Sequence, residues 1–110
     1  MSKDGKMASK EVQPIGEADM EKYIGNSDVS IVDLRESDLY RDGHIQGAIN
    51  ISFAEFQSRM KELDPKKSVI LVCHVGPMGE ASGQLLLQNG FHMVSNLSGG
   101  MANWNGKLVR

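Results

Sequence analysis

Cys73, the single cysteine of this 110-residue chain, is the residue whose type and position best suit covalent chemistry. It ends the run SVILVC, and the loop behind it, with Gly76, Pro77 and Gly79, leads directly into a helical pattern. In open α/β sheets, ligands bind beyond the carboxyl ends of the strands, where helix N-termini present amides. Amides around the Cys73 sulfur would stabilise a thiolate or an anion carried on the sulfur. The segment therefore predicts nucleophilic sulfur chemistry, although an inert buried thiol fits the same pattern.

The segments that must position Cys73 alternate between the hydrophobic patterns of strands and of amphipathic helices. Compact aliphatic or β-branched runs predict strands at 29–34, 48–51, 68–73 and 91–97. Amphipathic spacing predicts helices at 16–24, 53–63 and 79–89, with a short final helix in GGMANW (99–104). The alternation is typical of an α/β fold, here a sandwich with helices on both faces of a mostly parallel sheet. The aliphatic run before Cys73 indicates a central strand that is buried on both faces.

Composition limits the class of protein. A chain of 12.1 kDa with 40% hydrophobic residues suits one globular domain, which we expect over residues 11–110. The polar residues 1–10 lack periodicity and predict a disordered tail. A net charge of -2 argues against nucleic acid as a partner, and no apolar run reaches the roughly 18 residues of a membrane helix. One cysteine excludes an intrachain disulfide and fits a cytoplasmic location.

Three motifs in the chain resemble those of the single-domain rhodaneses, a family of sulfurtransferases. IVDLRESDLYRDGHIQGAINI (31–51) is similar to the first signature of the family, and GGMANW (99–104) resembles its closing signature. Cys73 stands where the family places its catalytic cysteine. The likeness extends over nearly the whole chain from about Val12. It implies a rhodanese-like sandwich and the transfer of a sulfane sulfur through a persulfide on Cys73.

The resemblance also implies the partners of the reaction. The donor would be thiosulfate or a persulfide, the acceptor a thiol or, in assays, cyanide, and a protein could serve as either. The length of the chain favours a monomer, and neither nucleic acid nor a membrane is an expected partner. No cofactor is expected. A metal ion is not expected either, because no metal-ligand spacing joins His44, His74 or His92 to Cys73.

The loop after the cysteine departs from the family pattern in its charge. Many active rhodaneses carry an Arg five residues after the cysteine, followed by a small residue such as Ser, whereas Met78 and Gly79 stand there in this chain. The segment CHVGPM (73–78) contains no Lys or Arg, and Pro77 has no N–H to donate. Arg holds an oxyanion through paired charged hydrogen bonds, which a thioether does not make. We therefore expect weak turnover of thiosulfate, with persulfide formation from a less charged donor retained.

The expected site has Cys73 as its catalytic residue and an active-site loop formed by His74, Val75, Gly76, Pro77, Met78 and Gly79. Asp33 and Arg35 resemble family positions that support this loop through hydrogen bonds and an ion pair. His44 is expected to be a hydrogen-bonded structural residue. His74 is a candidate to replace the missing positive charge when it is protonated, against a role in packing or in solvent. Met78 would give the loop an apolar rim suited to a lipophilic or protein-bound donor.

A second class of function stays open beside the enzyme. Rhodanese-like domains that have lost features of the loop can serve as binding, regulatory or redox-sensing modules. The absence of a loop Arg favours the module, whereas the presence of Cys73 and the length of the loop favour the enzyme. The reactivity of the thiol against pH discriminates between them, because an activated nucleophile reacts at lower pH than an ordinary or buried thiol.

Overall fold

The computed structural model describes residues 11–74 and 77–110, so the tail expected at 1–10 and the loop residues Val75 and Gly76 lie outside the described residues. Five strands and four α-helices, with a 3-10 turn and a closing 3-10 helix, make up the described chain. In chain order they are β1 (Gln13–Ile15), α1 (Glu17–Tyr23), β2 (Val29–Asp33), α2 (Ser37–Asp42), β3 (Ile49–Asn50), α3 (Phe53–Arg59), the 3-10 turn Met60–Glu62, β4 (Ser68–Val72), α4 (Pro77–Gln88), β5 (Val94–Leu97) and the closing 3-10 helix (Gly100–Asn103).

The strands form one sheet in the order β1-β5-β4-β2-β3, and every neighbouring pair is parallel. The strand β4 lies in the middle, as its run of aliphatic residues predicts. Because all strands run the same way, their carboxyl ends meet at one edge of the sheet. Asp33 of β2 pairs in register with Val72 of β4, so the residues that follow these two strands are neighbours at that edge.

The two faces of the sheet are covered by different helices. Val69, Leu71 and Cys73 belong to a buried cluster with Phe56 of α3 and Leu86 of α4. On the other face, Ile70 and Val72 are clustered with Met20 of α1, and Met101 and Trp104 pack against this second cluster. Side chains alternate between the faces because the pleat of a strand has a period of two. The α/β sandwich expected from the sequence is confirmed.

Several elements differ from the expectations, and the edge strand β1 (Gln13–Ile15) was not predicted from the sequence. The helix α4 begins at Pro77 rather than Gly79, because the missing N–H of proline costs nothing in the first turn of a helix. Pro77, Met78 and Gly79, expected in the loop, therefore form the first turn of α4. The helix α2 was not expected from its pattern, and none of its residues is buried. Strand β5 begins at Val94 rather than at 91.

Within the described ranges, no helix is both long enough and apolar enough to cross a membrane.

Candidate active site

Cys73 follows the last residue of β4, at the carboxyl edge of the sheet. Its side chain is fully buried, with 0% exposure, and belongs to the cluster that α3 and α4 cover. The preceding carbonyl, that of Val72, accepts a hydrogen bond of 2.7 Å from the amide of Leu34. The end of the central strand is therefore fixed from the β2 side, and the sulfur lies on the α3–α4 face.

The closing 3-10 helix holds the backbone of Cys73 and His74 from the other face of the sheet. The amide of Met101 donates to the carbonyl of Cys73 at 2.8 Å, and the amide of Ala102 donates to that of His74 at 3.0 Å. Gly100, with φ +60°, brings the two backbones this close. A Cβ at this position would lie 2.4 Å from the carbonyl oxygen of Cys73 and 2.6 Å from that of His74. Only glycine fits, both for space and for backbone angle.

Asp33 and Arg35 form a buried ion pair beside this region. The Asp33 carboxylate is 1% exposed and lies 2.9 Å from Nη2 of Arg35, with Nε of Arg35 3.0 Å from the other carboxylate oxygen. The same guanidinium donates to the carbonyl of Gly43 at 2.8 Å, and the side-chain amide of Asn50 donates to the carbonyls of Asp33 and Arg35. The pair thus joins the end of β2 to the end of α2, and Asn50 joins β3 to the same stretch of backbone. Support of the loop after Cys73 by this pair stays a prediction.

His44 packs against Tyr40 and pairs with Val109. Its ring stacks on that of Tyr40, with centroids 3.7 Å apart, and its Nδ1 lies 2.8 Å from the Tyr40 carbonyl. The backbone of His44 pairs with that of Val109, and the Tyr40 hydroxyl donates to the carbonyl of Ala48. Burial raises the pKa of Tyr40 above its usual value, and the charge of Asp33 adds to this shift. These contacts fit a structural role for His44.

The mouth of the site, formed by His74 and the first turns of α3 and α4, carries two large exposed apolar side chains. Met78 in the first turn of α4 is 44% exposed, and Phe53 in the first turn of α3 is 42% exposed. Between the two helices lies a cavity of about 370 Å³, lined by Phe53, Phe56, Ser82 and neighbouring residues. His74 is exposed next to Cys73. The mouth therefore offers apolar surface, the imidazole of His74 and the carboxylates of Glu55 and Glu80, and the first turn of α4 carries no cation.

Gly79 lies against Asn96 of β5, where there is no room for a side chain. The residue is buried in the first turn of α4, and a Cβ there would meet the side chain of Asn96, within 2.0 Å of its Oδ1. The small residue lets the start of α4 approach the sheet.

Apart from His44, which packs on Tyr40, the described residues expected at the site lie at the ends of two neighbouring strands, and their roles there stay predictions. His74, Pro77, Met78 and Gly79 follow Cys73, the Asp33–Arg35 pair lies at the end of the neighbouring strand, and Val75 and Gly76 lie outside the described residues. The contribution of Gly100 and of the two amides after it was missed by sequence reasoning. Its signal was the glycine pair at the start of the closing helix, which marks a left-handed backbone or a close approach. Among the described residues, no group of His, Cys, Asp and Glu could hold a metal ion.

Known proteins resemble this chain over most of its length. Residues 17–107 match the sequence profile of the Rhodanese-like domain family. The putative sulfur carrier protein YrkF of Bacillus subtilis is 30% identical over 111 residues, a match to 97% of this chain and 60% of YrkF. The thiosulfate sulfurtransferase GlpE of Coxiella burnetii is 31% identical over 83 residues, covering 76% of this chain and 78% of GlpE. The crystal structure of a rhodanese-related protein from Thermoplasma volcanium aligns with a TM-score of 0.79 at 27% identity, covering 88% of this chain and 97% of that one.

Proposed function

Since the chain belongs to the rhodanese-like domain family, we propose that it is a sulfurtransferase that carries a sulfane sulfur as a persulfide on Cys73. The observation that supports this most is the place of Cys73, directly after the central strand and just before α4. In parallel sheets this is where anionic ligands meet helix amides. The relatives named sulfur carrier and thiosulfate sulfurtransferase agree with such chemistry.

The reaction has two balanced steps. In the first, the Cys73 thiolate attacks the outer sulfur of the donor, and the sulfur–sulfur bond of the donor breaks. The electron pair of that bond leaves with the rest of the donor, as sulfite from thiosulfate or as a thiolate from an organic persulfide. In the second step, an acceptor thiolate or cyanide attacks the outer sulfur of Cys73–S–S⁻ and restores the thiolate.

The backbone from His74 to Gly79 is proposed to hold the charge of the persulfide. The first amides of an α-helix have no partner within the helix, so those of Met78 and Gly79 are suited to an anion. Pro77 contributes none. The helix α4 has 12 residues, long enough for its dipole to add to the effect.

The preferred donor is proposed to be a persulfide or a protein-borne sulfur rather than thiosulfate. Thiosulfate is a dianion, and in rhodaneses with a loop Arg its oxygens can pair with that cation. Here the corresponding residue is Met78, whose thioether side chain is exposed. The apolar side chain of Phe53 is exposed at the start of the neighbouring helix α3. A mouth without a cation favours an organic donor over a hydrated dianion, because the dianion gains no partner when it loses water.

Three further properties belong to the same proposal. The protein would act without a cofactor, because both steps use only the cysteine and its substrates. It would act as a monomer. A reducing cytoplasm is the compartment that keeps a lone thiol ready for persulfide chemistry.

A second candidate function, a binding or redox-sensing module, is favoured by the complete burial of the Cys73 side chain. A packed thiol without contact to solvent behaves as a small hydrophobic residue. Such a module would fold normally and take up no sulfur.

Intact-protein mass spectrometry tests the proposal. The reduced protein is incubated with thiosulfate or with glutathione persulfide, and Cys73→Ser serves as the control. We expect the mass of one added sulfur with glutathione persulfide, removed by cyanide and absent in the control, and weaker loading with thiosulfate. If neither donor loads the folded, reduced protein, the sulfurtransferase proposal is wrong for these donors and the module becomes the better interpretation.

A further inference from the structure

We propose that Gly100 is a positioning residue for Cys73, because it lets the closing 3-10 helix orient the peptide group that follows the cysteine. This inference rests on the proposed function, since it assigns a residue to the same site. The four atoms that carry it are the carbonyl oxygens of Cys73 and His74 and the amide nitrogens of Met101 and Ala102, joined pairwise at 2.8 and 3.0 Å.

The first step of the argument concerns the direction of the peptide group. A trans peptide is planar, and its N–H points opposite to its C=O. The carbonyl of Cys73 points to Met101, which packs on the α1 face of the sheet. The N–H of His74, in the same peptide group, must therefore point away from that face.

The second step concerns the position of the sulfur. The side chain of Cys73 belongs to the cluster on the α3–α4 face, opposite to Met101. The bond from Met101 thus turns the His74 amide towards the side of the sheet on which the sulfur lies. An amide held in this direction before the reaction stabilises a negative charge on sulfur without having to reorient.

The third step explains why this position requires glycine. A Cβ on residue 100 would meet two backbone carbonyls, and neither can move aside as a side chain can. The closing helix would have to withdraw from the loop, and both hydrogen bonds would lengthen. The Cys73–His74 peptide group would then lose its fixed direction while the sheet beneath it stayed paired.

The test compares Gly100→Ala with a matched variant, Gly47→Ala. Gly47 also has a left-handed backbone, with φ +87°, but a Cβ there would meet nothing within 4 Å. Both variants carry the backbone cost of an L side chain at positive φ. Only Gly100→Ala disturbs the carbonyls beside the cysteine.

The readout is the rate of alkylation of the reduced protein by iodoacetamide, measured against pH. Cys73 is the only cysteine in the chain, so no other thiol contributes. We expect Gly100→Ala to react about ten-fold more slowly at neutral pH and its profile to move towards alkaline pH, as expected for the loss of one charged hydrogen bond. Gly47→Ala should overlay the parent protein. Unchanged profiles for both variants, or the same shift in both, would overturn the proposal.

A second measurement on the unaltered protein keeps the proposal testable if Gly100→Ala fails to fold. In ¹⁵N-resolved NMR spectra, conversion of Cys73 to the persulfide should move the His74 amide proton downfield, because this N–H meets the new anion. An unmoved His74 signal in a loaded protein refutes the inference. Failure of the proposed function is seen separately, as absence of sulfur loading, whereas the alkylation profile needs no sulfur donor at all.

Discussion

Replacement of Arg35 by Ala should lower the free energy of unfolding by about 3 kcal/mol, because it leaves the buried carboxylate of Asp33 without its cation. Three side-chain hydrogen bonds to Asp33 and the bond to the Gly43 carbonyl would be lost. Loss of one partner of a buried pair typically costs about 3–5 kcal/mol. We expect the lower end, because the backbone amide of Arg35 still donates to Asp33.

Urea unfolding followed by circular dichroism measures this cost, with Arg35→Lys and the double variant Asp33→Asn/Arg35→Met beside it. For a domain of this size, 3 kcal/mol corresponds to a drop of roughly 10–15 °C in Tm. Lysine keeps the charge without the paired geometry, so Arg35→Lys should fall between the parent and Arg35→Ala. The double variant should cost less than the sum of Asp33→Asn and Arg35→Met measured singly, by about 1 kcal/mol or more. A loss below about 1 kcal/mol in Arg35→Ala, or strict additivity in the double variant, would refute the assignment of a stabilising buried pair.

Two other substitutions test the chemistry of the mouth and the pH dependence of the fold. Met78→Arg should raise sulfur loading from thiosulfate about ten- to a hundred-fold by supplying a charged donor pair. Met93→Arg is its control, since Met93 is equally exposed at 47% but precedes β5, at the opposite edge of the sheet; equal gains in both variants would mean a nonspecific charge effect. The pKa of Tyr40 is raised in the fold, so the stability that this hydroxyl contributes is present below about pH 10 and is lost as the pH rises through the folded value. The advantage of the parent over Tyr40→Phe, measured by urea unfolding, should therefore shrink above pH 10, and a constant difference up to pH 11 would contradict this.

The parts of the fold that the sequence predicts are those specified by local pattern. The aliphatic run of β4 predicts a central strand, because parallel strands buried on both faces read as continuous hydrophobic runs. The spacing of Phe53 and Phe56 predicts α3 because one face of that helix is buried. The helix α2 escapes prediction for the opposite reason, since it buries no residue and has no apolar stripe to detect.

The candidate site is foreseen only in part, because its parts come from distant segments. Cys73 and the loop after it are contiguous and carry their own signal. The donors from Met101 and Ala102 are backbone amides, which leave no trace in residue type, and only Gly100 marks their approach. The pairing of Asp33 with Arg35 depends on the turn of the chain after β2, which places both groups out of water.

The sheet order has a consequence for the time at which the chain can fold during synthesis. The strand β1 is near the start of the chain, yet it pairs with β5, with Gln13 opposite Ser95. The β3-β2-β4 part of the sheet can assemble once the ribosome has released β4. The strand β1 must wait until β5 has emerged, because β5 is its neighbour in the sheet. A chain arrested before β5 would therefore leave the β5-facing edge of β4 unpaired, next to Cys73.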